Sequence, residues 1–458
     1  MALLAKAQLV GEVVDRDGCP IPYASVIYKG HHVGAASDIE GKFTIARHEG
    51  WTLTVSSVGF RSQAIKVNAS TPQTLKVVLK EDARSLNEVE VKSKRAKYSR
   101  KNNPAVELMK RVIAAKKRTD LDNHDYYQYN KYQKITMAVN DIKPDDLEQG
   151  LFKKQPWLLD QVETSSFNQK LILPISVDET VTQHIYRKDP KSEKDIIKGQ
   201  KSDGINNVIQ TGEILNTMLK EVFTDVDIYD DHVRLLQYPF TSPIGETATS
   251  FYRYYIEDTV YVDRDLCYHL QFIPNNQQDF GFRGELYILA DSTLHVKRCS
   301  MTIPQRSDVN FVENMRIEQE YTKLGNGEWA LTTDDMMVEL KLSNFLSQLL
   351  VTRTTRLSDY AFDELPRKLF KGKAKKRHEA DAMIRGEDFW NQYRAVELTK
   401  SESSMNAFIH RMEQSKNYKW ILFGVRALLE NYVETGSMRT KSKFDFGPTS
   451  TSSTQQKR

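Results

Sequence analysis

Two acidic spots stand out among the residues that could do chemistry: the vicinal pair Asp334-Asp335 and the run Asp230-Asp231-His232. General acid/base work needs two groups converging on one reacting bond. Neighbours on a strand point to opposite faces, so a vicinal aspartate pair suits turn solvation better than catalysis. His31, His32 and His48 could ligate a metal, but no spaced cysteine or carboxylate completes a set, and they read as solvated loop histidines. Cys19, Cys267 and Cys299 lack Cys-x-x-Cys or Cys/His zinc spacing and are too few for a disulfide scaffold. The chain has no Gly-x-Ser-x-Gly elbow, His-Glu-x-x-His, Walker loop or dinucleotide fingerprint. Gly281-Phe-Arg-Gly284 and Gly325-Asn-Gly327 are isolated glycine pairs that turn chemistry explains. The expectation is therefore no catalytic residue, no cofactor and no metal ligand. A hydrolase with residues dispersed along the chain is the alternative.

Any site must be positioned by elements that the bulk numbers bound. At 458 residues the chain predicts two or three domains, taking roughly 100–200 residues for each. Hydrophobic residues at 40% and charged residues at 28% exclude wholesale disorder. The net charge of +4 arises from 65 basic and 61 acidic residues that are interspersed, so no global field favours nucleic acid. The basic run from Pro366 to Arg377 holds only Phe370 as a stacking aromatic, which predicts a solvated loop, with contact to anionic lipid headgroups as the lesser reading. No stretch has the roughly 20 apolar residues of a spanning helix. Residues 1–7, with Ala5 and Ala7 before Gln8, read as the remnant of a secretory signal.

Residues 8–81 alternate short β-branched runs with Gly, Pro and Asp turns, the pattern of a β-sandwich. A charged linker occupies 82–102, then comes a helix in which Asn103 caps, Pro104 takes the first position and Val106, Met109, Val112 and Ile113 share a face. Alternating runs near 251–262, 266–273, 282–289 and 294–303, continued by Arg316–Tyr321 and Trp329–Thr333, predict an antiparallel meander over about 251–333, with Asn326-Gly327 as a tight turn. On those strands Cys267 and Cys299 lie two strands apart, about 10 Å, and offset, so no disulfide joins them. A helix over Glu213–Phe223 is expected to back this sheet, leaving a concave apolar face, and further helices occupy about 386–435, one starting near a Ser401-Glu-Ser-Ser404 cap and another carrying Trp420 to Tyr432. Residues 446–458 read as a disordered tail. The fold class is mostly β: an N-terminal sandwich of the seven-stranded type, then an α+β domain over 103–445 built on a curved antiparallel sheet with packing helices.

Gly11-x-Val13, Gly18-x-Pro20-Ile21-Pro22-x-Ala24-x-Val26, Asp38-x-x-Gly41-x-Phe43 and Ser56-x-Val58-Gly59-Phe60 resemble the carboxypeptidase-regulatory-like, transthyretin-type domain, which implies a non-catalytic sandwich. Asn103-Pro-Ala-Val-x-Leu-Met-x-x-Val-Ile-x-x-Lys116, Tyr126-Tyr-x-Tyr129-x-Lys131-Tyr132, Gly199-x-Lys201-Ser202-x-Gly204 and Tyr252-x-Tyr254-Tyr255-Ile256-x-Asp258-Thr259 resemble a family of unknown function from Bacteroidetes outer membranes. In that family the same sandwich, a mixed α/β periplasmic region and a C-terminal β-barrel succeed one another. The resemblance covers the soluble portion; the barrel is missing here, and a fragment, a short form or an excised piece would account for that. It implies a non-enzymatic binding or scaffolding region at the periplasmic face of the outer membrane, engaged in envelope biogenesis or transport. The implied partner is a polypeptide, a lipid or a neighbouring barrel, without nucleic acid, and membrane association is implied where the protein carries the family's barrel. Glu88-Val-Glu-Val91 weakly resembles the box after the sandwich of TonB-dependent transporters, but a plug domain would have to come after residue 102.

Overall fold

A computed structural model describes residues 8–16, 18–21, 24–29, 31, 33–38, 40–57, 60–81, 98–118, 120–204, 224–235, 238–276, 281–303, 312–340, 349–415, 432–435 and 442–445. The signal remnant, most of the linker, His32, the helix expected over Glu213–Phe223, the residues Trp420 to Leu429 and the tail lie outside them.

The N-terminal unit comprises β1 (Gln8–Val14), β2 (Ser25–Tyr28), β3 (Gly34–Ala36), β4 (Lys42–Ala46), β5 (Thr52–Ser56), β6 (Phe60–Arg61), β7 (Gln63–Lys66), β8 (Thr74–Val78) and β9 (Lys80–Glu81). Seven of these make two sheets, in the orders β4-β1-β8 and β3-β2-β5-β7, while β6 pairs with β9. Period-two burial drives the assembly: Leu9, Val13, Phe43 and Ile45 of one sheet share a core with Val26, Tyr28, Leu53 and Val55 of the other. His31 and His48 are not merely solvated, as the sequence suggested. Their rings stack on Trp51 at centroid distances of 3.5 and 4.2 Å, because the flat indole face is the best local partner for a planar ring.

The second unit begins with α1 (Pro104–Lys116), where the Asn103 side chain accepts from the Ala105 amide and Pro104 takes the first turn, as the spacing predicts. Then come β10 (Tyr126–Ile142), α2 (Gly150–Lys154), β11 (Glu163–Thr164), β12 (Leu171–Arg187), β13 (Ser192–Gly204), the hairpin β14 (His232–Leu235) and β15 (Tyr238–Thr241), and α3 (Ala248–Phe251). The meander is β16 (Tyr252–Val262), β17 (Asp265–Pro274), β18 (Arg283–Leu289), β19 (Val296–Thr302), β20 (Val312–Lys323), β21 (Trp329–Leu340) and β22 (Leu349–Ala361). After it come β23 (Lys376–His378), α4 (Glu387–Tyr393), α5 (Lys400–Ser403), α6 (Met405–Gln414), β24 (Tyr432–Thr435) and β25 (Ser442–Asp445).

These strands form one curved, twelve-stranded sheet in the order β16-β17-β18-β19-β20-β21-β22-β10-β12-β13-β23, with β11 on the side of β12. It is antiparallel except where β23 runs parallel to β13. The expected meander is present but extends past residue 333 to Ala361, and β10, β12 and β13 continue it. Alternation does not reveal those three strands because each carries mixed apolar and polar residues that are covered on both faces. Among the described residues three short helices follow Gly386, inside the region where helices are expected, but Tyr432 begins a strand rather than ending a helix, paired with Asp445 on β25, in keeping with the strand-forming types Tyr432, Val433 and Thr435. The cap before α5 is Thr399 with Glu402 rather than the serine run.

Cys267 stands opposite Leu289 and Cys299 opposite Leu286, so β18 separates the two free, buried thiols. Burial pushes Cys267 up to about 12. Gly327 has the positive φ of +93° that its turn requires, but Gly281 and Gly284 are not turn glycines. A Cβ on Gly284 would fall 1.9 Å from the Ser300 carbonyl oxygen, so this position lets β18 and β19 close. Gly284→Ala is accordingly expected to cost about 1–3 kcal/mol and lower the thermal midpoint. Gly325→Ala, where a Cβ meets nothing within 4 Å, should leave the midpoint unchanged in the same calorimetric scan.

Candidate binding face on the large sheet

Adjacent strands bring polar residues into register on the inner face, the one covered by α1 and the chain that enters β14. Gln319, Asp334, Thr355 and Gln133 stand side by side across β20, β21, β22 and β10, and Ile317, Met336, Arg353 and Ile135 form the next row. Arg353 is 0% exposed. A guanidinium stripped of water needs acceptors. It donates to Asp334 Oδ2 at 2.5 Å and to the Thr224 carbonyl at 3.0 Å. Gln319 donates to Asp334 Oδ1 at 3.2 Å and to the Val226 carbonyl at 2.7 Å. Burial pushes the Asp334 carboxyl above its ordinary range, and Arg353 opposes that shift.

The groups that capture Thr224 and Val226 pin a stretch without regular secondary structure, residues 224–231. Val226 and Ile228 enter the main core beside α1, Met315 and Ile317. Lys131 on β10 pairs with Asp225 at 3.0 Å. Lys116, buried at the end of α1, donates to the Tyr229 carbonyl at 2.9 Å and to Asp231 at 2.7 Å. Asp231 also accepts from the Glu246 amide, and its carboxyl is held below its ordinary range chiefly by the Lys116 hydrogen bond. Three backbone carbonyls in this stretch are thus taken by side-chain donors, from Arg353, Gln319 and Lys116. Such contacts read a main chain whatever its side chains.

Toward the β10 start, the motif Tyr126-Tyr-x-Tyr129-x-Lys131-Tyr132 divides by strand period. Tyr127 stacks on Tyr186 at 4.5 Å, and Tyr129 lies 4.8 Å from the His184 ring and 5.1 Å from Tyr360, while His184 Nδ1 contacts Asp195 at 2.8 Å. Tyr126 and Tyr132 turn to the other side, where Tyr132 joins Val181 and Trp390. The inner face therefore carries a polar centre and an aromatic end. Near the centre, Tyr229 contacts His295 at 2.8 Å, and burial pushes that imidazole down to about 4.

The outer face is a lattice of charge pairs. Asp335 pairs with Arg356 through two contacts of 2.6 and 3.1 Å, so the two vicinal aspartates do face opposite sides, but each is cross-strand paired in mid-strand rather than solvated in a turn. Asp230 and Asp231 do lie at a turn. His269 sits between Asp258 and Glu285, at 3.3 Å from each, and is stacked on Tyr287; burial works against its charge, but the two carboxylates outweigh it and lift the pKa to about 9. Over β10 and β12 this face is covered. Glu402 of α5 accepts from Lys134 at 2.7 Å and from Thr136 at 2.5 Å, and Glu179 binds Arg394 through two contacts of 2.7 Å. The sequence pattern singles out none of Arg353, Gln319 or His184, and marks Glu402 only as part of a helix cap. Among the described residues no group of three His, Cys, Asp or Glu is placed to hold a metal ion, and no helix is long and apolar enough to cross a membrane.

The model of a family of unknown function, DUF5686, matches residues 108–357, which contain the inner-face cluster and nearly the whole sheet. The chain belongs to the DUF5686 family. Ahead of that match, residues 9–91 fit the CarboxypepD_reg-like domain, in agreement with the sandwich. This DUF5686 chain is 30% identical over 90 residues to a TonB-dependent receptor of Formosa agariphila, covering 19% of this chain and 8% of the receptor. It is 35% identical over 81 residues to the TonB-dependent receptor SusC of Bacteroides thetaiotaomicron, covering 18% and 8%. The chain thus spans under a tenth of the length of either receptor. Among solved structures, a DUF1329 family protein from Desulfovibrio piger aligns over 59% of this chain and 98% of its own, at 12% identity and a TM-score of 0.25. A LolA superfamily protein from Nitrosomonas europaea aligns over 58% and 97%, at 10% identity and a TM-score of 0.20.

Removing one partner of the buried pair should be far worse than removing both. Arg353→Ala is expected to cost about 3–5 kcal/mol in urea unfolding, whereas Arg353→Met combined with Asp334→Leu recovers most of that loss. The two histidines predict opposite pH dependences. His269 titrates near 9 in the fold and near 6.5 unfolded, so its contribution is complete below about pH 6.5 and disappears as pH rises through 9. The stability gap between the protein and His269→Gln should therefore be widest near pH 6 and vanish above pH 9. His295 resists protonation until about pH 4, so stability should fall as pH drops from about 6.5 to 4, and His295→Phe should flatten that limb.

Proposed function

We propose that this chain is a non-enzymatic, periplasm-facing binding or scaffolding region of a Bacteroidetes outer-membrane protein, serving envelope biogenesis or transport. The observation that carries the reading is the capture of the 224–231 main chain by Arg353, Gln319 and Lys116 on the inner face. This face already holds a main chain of its own through carbonyl-directed donors beside an apolar floor, the chemistry by which a sheet face holds a polypeptide. The aromatic end formed by Tyr127, Tyr129, Tyr186 and Tyr360 extends that surface to apolar ligands such as lipid chains. The setting is supported by the relatives, both TonB-dependent receptors. Beyond residue 102 the chain enters α1 and the DUF5686 match, which favours this reading over the front end of a TonB-dependent transporter. A non-enzymatic role is supported by the commitments of the two rings: His184 Nδ1 is held by Asp195, and His269, between Asp258 and Glu285, is kept charged by those carboxylates.

A photo-crosslinking residue at Tyr129, compared with one at Glu318 on the outer face, tests the proposal in cells making the natural protein. Adducts to an envelope polypeptide or lipid are expected from position 129 and not from 318. Equal labelling from both positions, or fractionation of the protein with the cytosol, would overturn it. Hydrolysis of ester, peptide or phosphate substrates that disappears in His184→Ala while the fold persists would instead establish an enzyme.

A further inference from the structure

Without β23 the sheet would end at β13, and a long exposed edge strand invites association with other chains unless it is covered. Residues 372–386 cover it. Lys376–His378 pair in parallel with Asp195–Ile197, the Glu379 amide donates to the Ile197 carbonyl at 3.0 Å, and the Gln200 amide donates to the Ala382 carbonyl at 2.8 Å. Arg385 Nε donates to the Lys198 carbonyl at 2.7 Å, and Lys194 holds the Gly372 and Ala374 carbonyls at 2.6 and 2.7 Å. This strap tracks the edge from Lys194 to Gln200, about 20 Å at the usual strand rise.

At its far end the strap presents two consecutive bulky apolar residues to solvent. Met383 is 65% exposed and Ile384 is 80% exposed, while Ala382 beside them is buried at 1% and anchors the turn. Single exposed apolar residues are ordinary, but an adjacent pair next to a strap hydrogen-bonded to β13 is a built feature. The strap and the residue just before it carry Lys371, Lys373, Lys375, Lys376 and Arg377. Lys375 pairs with Glu193, and Arg385 pairs with both Glu379 and Asp381, which offsets one of the strap's two acidic charges. Lys371 and Lys373 are exposed, with no carboxylate in salt-bridge range among the described residues.

We infer that the strap is a docking edge for an anionic phospholipid surface, with Met383 and Ile384 entering the interfacial layer and the lysines lying against the headgroups. Charge complementarity selects the occupant: five cations within seven residues match a negatively charged lipid plane, and the apolar pair adds the hydrophobic term that charge alone lacks. The anchoring bonds to β13 hold the strap in one shape, so docking costs little ordering entropy. This surface lies on the sheet edge, apart from the inner face, so it stands whatever that face holds.

Flotation of the full chain with vesicles tests it. Vesicles containing phosphatidylglycerol should carry the protein and phosphatidylcholine vesicles should not, and the bound fraction should fall steeply between about 0.1 and 0.5 M salt as the charges are screened. Met383→Ser with Ile384→Ser should weaken partitioning about tenfold or more, and Lys371→Glu with Lys373→Glu should abolish it. Lys110→Glu with Lys323→Glu, on distant exposed positions, should leave it unchanged. All of these sites are solvent-facing, so unchanged thermal midpoints will show that each variant folds. Absence of vesicle binding, equal binding to neutral vesicles, or an unchanged partition in the Met383/Ile384 variant would overturn the inference. So would displacement by inorganic phosphate at constant ionic strength, which would mark a discrete phosphate site instead.

Discussion

A guanidinium with no access to water, that of Arg353, sets the course of everything on the inner face. Its charge is tolerable only with Asp334 beside it and with the Thr224 carbonyl on its other side. Satisfying it fixes where residue 224 lies, and Gln319 then fixes residue 226. From there Val226 and Ile228 fall into the apolar floor and Tyr229 reaches His295. Lys116 ties the end of α1 to the same stretch through Tyr229 and Asp231. The helix, the irregular stretch and three separate strands thus share one electrostatic anchor, and the order of these contacts results from a single desolvated cation.

The other side of the sheet solves a different problem. A sheet this wide exposes many outward positions, and the meander fills them with cross-strand pairs such as Arg356 with Asp335 and His269 with its two carboxylates. Where β10 and β12 carry Tyr132, Lys134, Thr136 and Glu179 outward, α4 to α6 and their connections close over them. Glu402 and Arg394 supply the opposite charges. The outer face is therefore part solvated lattice and part buried interface, and the passage between them occurs at β22.

Much of the fold was legible because short-range physics writes it. The Asn103 cap and Pro104 mark the start of α1, and the apolar positions Val106, Met109 and Val112 mark its buried side. Strands from Tyr252 to Thr302 alternate over a half-buried face, and Asn326-Gly327 turns the next hairpin. The same rule fails on β10, β12 and β13, since covering both faces removes the contrast that alternation depends on. Met383 and Ile384 are apolar yet exposed, and nothing in their local sequence distinguishes them from core residues.

The chain by itself determined the order of its elements, the sandwich with its turns, and the vicinal placement that sends Asp334 and Asp335 to opposite faces. These depend on neighbours a few residues apart. Tertiary structure alone decided which partner each charge meets: Lys131 finds Asp225 at a separation of 94 residues, and Lys134 finds Glu402 at 268. Such pairs depend on strand order and register, which are set by the burial of the whole sheet, and no local pattern encodes them.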